Sequence, residues 1–498
     1  MSMNLAQRFA ETAERLASKP AAFDDAGPHT YGEVLAAAHA VAARVREATQ
    51  RRHVAVAAPT SAAFPAAYFG VLLADRVPVP LNFLLDPATL GFIARDAGFD
   101  TVVASRALER VVQALGARAI YVEDLQARPA AACPRACGEA GGSQRLSRGG
   151  DEVATLLYTS GTTGTPKGVV LSHRNLLGNV EACNQHLSLV EDNVFLGVLP
   201  FFHAFGITTS MLLPLLLGCS TVCVSRFSPQ KVLEGIARHR VTIMFAVSSI
   251  YRMLIRTGRP AGLDLGSLAL PIAGGEALGA GLAERFQELF GVPLLEGYGM
   301  TETAPVVAVN VPGRHRPGSV GRPLPWVEAR VVDDRGRPLP CGAEGELHLR
   351  GECVTSGYHN RPQETRDALA PGGWLRTGDL ARLDDEGYLW ITGRKKDLII
   401  SGGENLSPNE IEAALHQHPA VAEAAVIGVP DESRGEVPKA FVALRDGAAT
   451  TAAELSAYLR ERLPRFKIPA AWEFRAELPR SPTGKVLKRE LRKSEGLT

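Results

Sequence analysis

The sequence predicts an α/β protein in which a large N-terminal domain with two parallel-type sheets precedes a small C-terminal α+β domain. Apolar strands alternate with helices in two blocks, over residues 53–105 and 194–297, as they do in parallel sheets covered on both faces. After residue 310 the pattern changes to the period-two alternation of antiparallel strands. A chain of 498 residues is also too long for one ordinary domain.

The two blocks define the predicted sheets strand by strand. In the first block the predicted strands are HVAVAA (53–58), VPVPLN (77–82) and DTVVAS (100–105), with helices over 61–74 and 87–98. In the second block they are VFLGVL (194–199), STVCVS (220–225), TIMFAV (242–247), LALPIAG (268–274) and PLLEGY (293–298). Residues 126–150, rich in Ala, Arg and Gly, are predicted to form a surface loop.

Two further segments complete the predicted architecture. VEARVVDDRGRPL (327–339) and EGELHLRG (344–351) alternate around turn residues, which is typical of antiparallel strands. A shorter module follows, with LIIS (398–401), strands VAEAAVIGV (421–429) and PKAFVAL (438–444), and helices over 408–417 and 452–463. GRKKD, residues 393–397, marks the change, so the predicted domains are 1–395 and 396–498.

The composition excludes several classes of protein. With 54 basic and 53 acidic residues the net charge is +1, which indicates no bulk attraction to nucleic acid or to a membrane surface. Seven scattered cysteines do not suggest a disulfide framework, and no CxxxC pair has the second pair that a zinc site needs. The uncharged stretch 193–225 is interrupted by Gly206, Pro214 and Gly218, so it predicts strand, buried helix and strand rather than a membrane span. We expect a reduced, cytoplasmic protein.

The strongest local signal is YTSGTTGTPKG, residues 158–168, which follows the apolar strand VATLLY. Its glycines let backbone N–H groups close around a polyphosphate, while hydroxyls and a lysine add donors and charge. It does not match a Walker A loop, and the alternative is a flexible Gly/Thr turn. The candidate phosphate-binding residues are Thr159, Ser160, Gly161, Thr162, Thr163, Gly164 and Lys167.

This loop resembles the phosphate loop of the adenylate-forming superfamily, which includes acyl- and aryl-CoA synthetases, peptide-synthetase adenylation domains and luciferases. Further motifs of that superfamily follow in its order and cover about residues 30 to 490. The resemblance implies a small β-barrel in the N-terminal domain and a mobile C-terminal domain. It also implies that ATP and Mg²⁺ activate a carboxylic acid as acyl-AMP, which is then transferred to coenzyme A.

The same resemblance assigns roles to residues near the second sheet. In YGMTE (298–302), Tyr298 and Gly299 would contact adenine, Thr301 the α-phosphate, and Glu302 the Mg²⁺ ion. AGGEAL (273–278) resembles the segment that lines the adenine and acyl cavity, with candidates Gly274, Gly275 and Glu276. Alone, a glutamate at a strand end is more often a solvated rim residue.

The remaining roles fall near the predicted domain boundary and the C-terminus. Asp379 in WLRTGD would accept the ribose hydroxyls, with Arg394 as its companion. Lys396 maps to the hinge between domains, and Gly402 and Gly403 to the passage for pantetheine. Lys485, in LPRSPTGKVLKREL, maps to the adenylation lysine, which offsets repulsion between carboxylate and α-phosphate. For Lys395 and Lys439 a solvated surface lysine is the simpler interpretation.

The acyl group is predicted from the uncharged segment Phe201 to Leu217. His203, in PFFHAFG, resembles the residue that gates the acyl pocket. Pocket candidates follow it in sequence: Phe201, Phe202, Phe205, Ile207, Met211, Leu212 and Leu213. A fatty acid of roughly C6 to C16 is favoured, because each buried methylene contributes about 0.8 kcal/mol. Relatives usually have a proline in the segment that here reads Val247-Ser248-Ser249. Its absence weakens any inference of the substrate from those relatives.

Several alternatives remain open. The enzyme could be an acyl-ACP synthetase, a stand-alone adenylation enzyme that loads a carrier protein, or an aryl-CoA ligase. A non-enzymatic, ATP-sensing relative is disfavoured because Lys485, Glu302 and Asp379 are all present. The expected partners are a small carboxylic acid and coenzyme A, without nucleic acid, and a homodimer is compatible with the sequence.

Overall fold

The computed structural model describes residues 4–126, 150–159, 165–276, 278–279, 281–402, 404–480 and 486–497. Within these residues the predicted class is confirmed: parallel sheets, an antiparallel half-barrel and a C-terminal α+β unit are all present. The described part of the chain contains no helix that is both long enough and apolar enough to cross a membrane.

The first predicted block forms a four-stranded, all-parallel sheet with the order β4-β3-β5-β6. Its helices begin and end where local chemistry requires. For example, Asp86 caps the helix that starts at Pro87, and Gly98 ends it with φ of 69°. The elements are α1 (Leu5–Arg15), β1 (Pro20–Asp24), β2 (Gly27–Thr30), α2 (Tyr31–Ala48), β3 (His53–Ala57), α3 (Ala63–Leu73), β4 (Val77–Pro80), α4 (Pro87–Ala97), β5 (Thr101–Ala104), α5 (Glu109–Ala114), β6 (Arg118–Tyr121) and α6 (Val122–Gln126).

The second block forms a nine-stranded sheet with the order β15-β14-β13-β12-β11-β9-β10-β1-β2. The six neighbouring strands β13, β12, β11, β9, β10 and β1 are parallel to one another. The outer strands β14, β15 and β2 pair antiparallel with their neighbours. The elements are β7 (Val153–Thr159), β8 (Lys167–Ser172), α7 (His173–Leu187), β9 (Val194–Gly197), α8 (Ala204–Ile207), α9 (Leu213–Leu217), β10 (Ser220–Cys223), α10 (Pro229–His239), β11 (Ile243–Ala246), α11 (Ser248–Thr257), β12 (Leu270–Ala273), α12 (Leu282–Phe290), β13 (Leu295–Gly299), β14 (Val306–Val309) and β15 (Arg322–Pro323).

The uncharged stretch 193–225 folds as predicted, as strand, buried helix and strand. Between β9 and β10 the chain forms α8, a π-helical turn over Thr208–Leu212, and α9. Its side chains are almost all buried, including Thr208, Thr209 and Ser210. The first two of these hydroxyls donate to backbone carbonyls, which satisfies buried polar groups inside the protein.

The antiparallel part consists of a five-stranded half-barrel and a short ribbon. The half-barrel has the order β16-β17-β20-β19, with β21 paired to β20. The ribbon joins β18 to the hairpin of β8 and β7. The elements are β16 (Val327–Val332), β17 (Glu344–Gly351), β18 (Gly357–Tyr358), α13 (Pro362–Ala368), β19 (Leu369–Ala370), β20 (Trp374–Leu383) and β21 (Leu389–Arg394).

The C-terminal unit has hydrophobic clusters of its own, whose members all lie beyond residue 398. Its sheet has the order β23-β22-β25-β24, with β26 paired to β25. The elements are β22 (Ile399–Ser401), β23 (Glu404–Leu406), α14 (Pro408–His416), β24 (Val421–Asp431), β25 (Gly435–Leu444), α15 (Ala452–Arg460), β26 (Ala471–Phe474) and α16 (Lys488–Ser494). Separate clusters agree with two domains, while the boundary at 395/396 stays a prediction.

Candidate active site

The predicted phosphate loop connects two paired strands. β7 ends at Thr159 and β8 begins at Lys167, and these two residues are direct partners in the antiparallel register. The rest of the predicted loop lies outside the described residues: Ser160, Gly161, Thr162, Thr163 and Gly164. The loop thus belongs to a β-hairpin, with Lys167 on the returning strand.

The base of this hairpin is held by residues that sequence reasoning did not single out. Tyr158 donates its hydroxyl to Asp96 Oδ2 at 2.7 Å, and Asp96 also pairs with Arg361 at 3.3 Å. Burial raises the pKa of Tyr158, and the Asp96 charge raises it further, so the phenol stays a donor. Asp96 comes from α4, 62 residues before Tyr158, and no local pattern points to this contact.

The predicted ribose residues form a compact cluster. Asp379 is almost completely buried; it accepts the Tyr298 hydroxyl at 2.5 Å and Arg394 Nε at 2.8 Å. Asp379 lies opposite Arg394 in the antiparallel register of β20 and β21. The Tyr298 pKa is well above its usual value because of burial and the Asp379 charge. The Asp379 carboxylate therefore contacts both Tyr298, which is predicted to bind adenine, and Arg394, its predicted companion at the ribose site.

A cavity of about 250 Å³ opens beside this cluster at the carboxyl ends of β12 and β13. In open parallel sheets, ligands bind outside these strand ends. The cavity brings together seven of the predicted site residues from three separate motifs: His203, Gly274, Gly275, Glu276, Tyr298, Gly299 and Thr301.

Two glycines are required by the geometry of the cavity wall. A Cβ at Gly299 would lie 2.1 Å from the Pro305 carbonyl oxygen, because Pro305 directly precedes β14, which pairs with β13 here. Gly275 has φ of 80°, which side-chain-bearing residues rarely adopt. Sequence reasoning selected both positions, and the structure supplies the steric reason.

A large part of the cavity lining is apolar. This part is formed by Leu199, Phe205, Phe245, Val247, Ile272, Val306 and Val309. Phe205 and Phe245 meet edge to face, with ring centroids 6.1 Å apart. Of the pocket candidates predicted from residues 201–213, only Phe205 lines this cavity.

The other pocket candidates do not line this cavity. All six are buried in the main hydrophobic core: Phe201, Phe202, Ile207, Met211, Leu212 and Leu213. Their segment packs against the nine-stranded sheet on one side and against α1 and α7 on the other. Its apolar side chains are therefore buried against other parts of the protein. An uncharged helix has the same composition whether it lines a ligand pocket or fills a core.

His203 lines the cavity as a neutral imidazole. Burial lowers its pKa to about 4, and among the described residues Nε2 has no hydrogen-bond partner. A buried, unpaired ring nitrogen costs free energy unless a ligand or water satisfies it. His203 thus lies in the cavity wall with a ring nitrogen that has no partner among the described residues, and its gating role stays a prediction.

Glu302 lies in a short 3₁₀ turn, Thr301–Thr303, that follows β13. Its Oε1 accepts the Tyr358 hydroxyl at 2.8 Å, and its backbone carbonyl accepts the Thr355 N–H at 2.8 Å. No cluster of three or more His, Cys, Asp or Glu residues able to hold a metal occurs among the described residues. A single carboxylate fits Mg²⁺ when the nucleotide phosphates supply the other ligands, which is common for this ion.

Two further carboxylates support the adenine segment. Glu276 accepts the Ser249 N–H at 2.7 Å and lies 3.7 Å from Arg252. Glu296, which sequence reasoning missed, accepts the Leu278 N–H at 3.3 Å. Burial raises the Glu296 pKa to about 7.

The predicted hinge and C-terminal residues are placed in part. Lys396 lies in the 3₁₀ turn Lys395–Asp397, directly after β21. Gly402 has φ of 60°, and a Cβ built at this position would meet no described atom within 4 Å outside its chain neighbours. Gly403 and Lys485 lie outside the described residues. Arg480 and Val486, which lie on either side of Lys485 in the sequence, form a β-bridge.

Two lysines interpreted as surface residues form ion pairs: Lys395, which is 45% exposed as expected, and Lys439, which is 15% exposed. Lys395 contacts Asp334 at 3.0 Å and Glu346 at 3.1 Å. Lys439 contacts Glu473 at 3.0 Å and Glu495 at 2.6 Å, so its charge is already compensated. Because these carboxylates are 34 or more residues away, only the fold brings them to the lysines.

Comparisons with known proteins agree with this architecture. The family model described as "AMP-binding enzyme" matches residues 9–359, and the model for its C-terminal domain matches residues 410–485. A long-chain-fatty-acid–CoA ligase of Bacillus subtilis is 40% identical over 69% of this chain and 62% of that protein. One from Escherichia coli O6:H1 is 34% identical over 98% of this chain and 94% of that protein. A feruloyl-CoA synthase of Amycolatopsis is 37% identical over 94% of each protein.

Among solved structures, ATP-bound MatB from Rhodopseudomonas palustris superposes with a TM-score of 0.89, at 32% identity over 99% of both chains. The apo form of that protein gives 0.76 over the same coverage. The chain therefore superposes better on the ATP-bound form than on the apo form. The chain belongs to the AMP-binding enzyme family, the adenylate-forming superfamily that its sequence motifs resemble.

Proposed function

We propose that this enzyme is an AMP-forming acid–thiol ligase that joins an apolar carboxylic acid to coenzyme A in two steps. The CoA-ligase relatives belong to this enzyme class. The observation that carries the proposal is the single cavity that joins predicted adenine, phosphate and acyl-pocket residues. Tyr298, which lines the cavity, belongs to the buried Tyr298–Asp379–Arg394 cluster, and much of the remaining lining is apolar.

In the first step an oxygen of the acid's carboxylate attacks the α-phosphorus of ATP, and the bond to pyrophosphate breaks. Tyr298 stacks on adenine, and Asp379 accepts the ribose hydroxyls. Lys167 and its loop hold the phosphates, and Lys485 offsets the charge where carboxylate meets α-phosphate. Glu302 would hold Mg²⁺, which neutralises phosphate charge when it is bound.

In the second step the thiol of coenzyme A attacks the acyl carbonyl carbon, and AMP leaves. The C-terminal domain turns about Lys396 between the steps, which withdraws Lys485 and admits the thiol past Gly402 and Gly403. The higher similarity to an ATP-bound relative supports the interpretation that the present arrangement belongs to the first step.

The cavity favours the shorter end of the predicted range of acids. Its volume of about 250 Å³ lies below the roughly 300–1,000 Å³ typical of ligand pockets. Met211, Leu212 and Leu213, which were predicted to line the acyl pocket, are buried in the core and do not line this cavity. We therefore propose an alkanoate of about C6 to C10, with affinity rising about fourfold per methylene, from about 0.8 kcal/mol each, until the apolar part of the cavity is filled.

An aromatic acid is the second candidate. Phe205 and Phe245 give the cavity an edge-to-face aromatic wall, a geometry that suits packing against another ring. The similarity to a feruloyl-CoA synthase over 94% of the chain supports this candidate as well. A carrier-protein thiol in place of coenzyme A remains the alternative for the second step.

The proposal is tested by following AMP release with acids from C2 to C18 and with benzoate and cinnamate, each with and without coenzyme A. We expect the highest catalytic efficiency between C6 and C10, and thioester product only when coenzyme A is present. Release that is fastest with an aromatic acid would select the aryl-CoA ligase. Acid-dependent pyrophosphate exchange without any thioester would indicate that the acceptor is a carrier protein instead of coenzyme A. No exchange with any acid would contradict the proposal.

A further inference from the structure

Tyr358 contacts the carboxylate proposed to hold Mg²⁺. Its hydroxyl donates to Glu302 Oε1 at 2.8 Å. Among the described residues, no hydrogen bond is made to the second oxygen, Oε2, which leaves that oxygen available.

The same tyrosine lies under the lysine of the phosphate hairpin. β18 pairs with β8, and Tyr358 is the direct partner of Val169, two residues after Lys167. Lys167 Nζ lies 5.5 Å from the centroid of the Tyr358 ring. An ammonium at this distance from the ring centroid is attracted by the π-electrons. One side chain therefore touches both charged groups proposed to act on the phosphates.

A second contact fixes the backbone of Glu302 to the same segment. The Thr355 N–H donates to the Glu302 carbonyl at 2.8 Å, and the Thr355 hydroxyl donates to the Val170 carbonyl at 2.5 Å. Residues 355–358 thus connect the turn that carries Glu302 to the strand that carries Lys167. Both the position and the rotation of the carboxylate are determined by this segment.

We propose that Tyr358 is a positioning residue that holds one oxygen of Glu302 so that the other faces Mg²⁺, and that keeps this carboxylate in register with Lys167. The proposal rests on the proposed metal role of Glu302. Hydrogen-bond partners of metal ligands fix ligand orientation, and their loss typically weakens metal binding by about 10- to 100-fold. The effect should therefore appear in metal affinity rather than in acid affinity.

Two substitutions separate the two contacts. Tyr358→Phe removes only the hydroxyl and keeps the ring under Lys167, so the dissociation constant of the metal in the ATP complex should rise at least tenfold. Tyr358→Leu also removes the ring, so ATP affinity measured without metal should fall by a further two- to fivefold, about the strength of an exposed cation–π contact. Tyr388→Phe is the matched control, because its hydroxyl donates to the Arg314 carbonyl at 2.7 Å, outside the described cavity.

The measurement is Mn²⁺ binding to the enzyme–ATP complex by electron paramagnetic resonance, with Mg²⁺ dependence of acid-dependent pyrophosphate exchange as the second readout. We expect Tyr358→Phe to weaken Mn²⁺ binding while Tyr388→Phe behaves as wild type. In a Glu302→Gln background, Tyr358→Phe should add nothing, because the carboxylate through which it acts is gone.

Wild-type Mn²⁺ affinity in Tyr358→Phe would overturn the proposal, as would equal losses of ATP affinity with and without metal. An additional loss in the Glu302→Gln background would also overturn it, because Tyr358 would then act elsewhere. These failures differ from failure of the proposed function, in which the wild-type enzyme itself shows no acid-dependent exchange.

Discussion

Replacing Asp379 by Asn tests the proposed ribose site with a change of one atom. The carboxylate is 3% exposed and holds Tyr298 at 2.5 Å and Arg394 at 2.8 Å. If it also accepts ribose hydroxyls, each of these bonds to a charged acceptor is worth about 1.5–3 kcal/mol. The amide keeps one acceptor oxygen and loses the charge, so about one such bond is lost.

The expected result is an ATP dissociation constant about 10- to 150-fold higher, since every 1.4 kcal/mol corresponds to a factor of ten. Isothermal titration of ATP without acid measures it directly. Asp384→Asn is the matched control: Asp384 follows β20, pairs with Arg316 at 2.5 Å, and is not part of the cavity lining. A folded Asp379→Asn variant whose ATP affinity changes less than threefold would refute the assignment.

Three further predictions address the half-reactions and His203. Lys485→Ala should slow acyl-AMP formation by about 10²–10⁴ while thioester formation from supplied acyl-AMP stays nearly normal; equal losses in both assays would make the lysine structural. Lys396→Pro should retain acid-dependent pyrophosphate exchange and lose most thioester synthesis, because proline fixes φ and restricts rotation; the reverse pattern would place the hinge elsewhere. Burial lowers the His203 pKa from 6.5 to about 4, so the unfolded state binds more protons between these values. The free energy of unfolding should therefore fall by about 3 kcal/mol from pH 7 to pH 4 through this group. His203→Gln should remove this part of the pH dependence of stability, measured by denaturant titrations at each pH. An unchanged pH dependence would show that His203 is not buried as a neutral ring.

The fold class was predictable because its signals are local. Strands such as Val54 to Val56 and Ile243 to Ala246 are continuous apolar runs between turn residues, which is the pattern of strands buried on both faces. The N-terminal hairpin β1–β2 was missed, because residues 20–30 contain Pro, Gly and Asp and carry no such run. Its place in the sheet depends on pairing with β10, about 200 residues away.

The candidate site likewise has residues that local motifs predicted and residues that depend on distant contacts. Motifs that are contiguous in sequence located Thr159, Tyr298, Asp379 and their neighbours, and the structure brings most of the described ones to a single cavity and its margin. Supporting residues such as Asp96 and Tyr358 were not predictable, because each acts through a contact 56 or more residues away. The shape of the acyl pocket was also not predictable, since packing alone decides whether an apolar side chain faces a ligand or the core.

The central claim is that an acyl-adenylate forms on this enzyme and is then consumed by a thiol. The most direct measurement is a single-turnover experiment with octanoate and MgATP, quenched before and after addition of coenzyme A and analysed by mass spectrometry. The account predicts enzyme-bound octanoyl-AMP before the addition, followed by octanoyl-CoA and AMP in equal amounts after it. Octanoyl-CoA formation with ADP and phosphate as products, and no adenylate at any time, would contradict it.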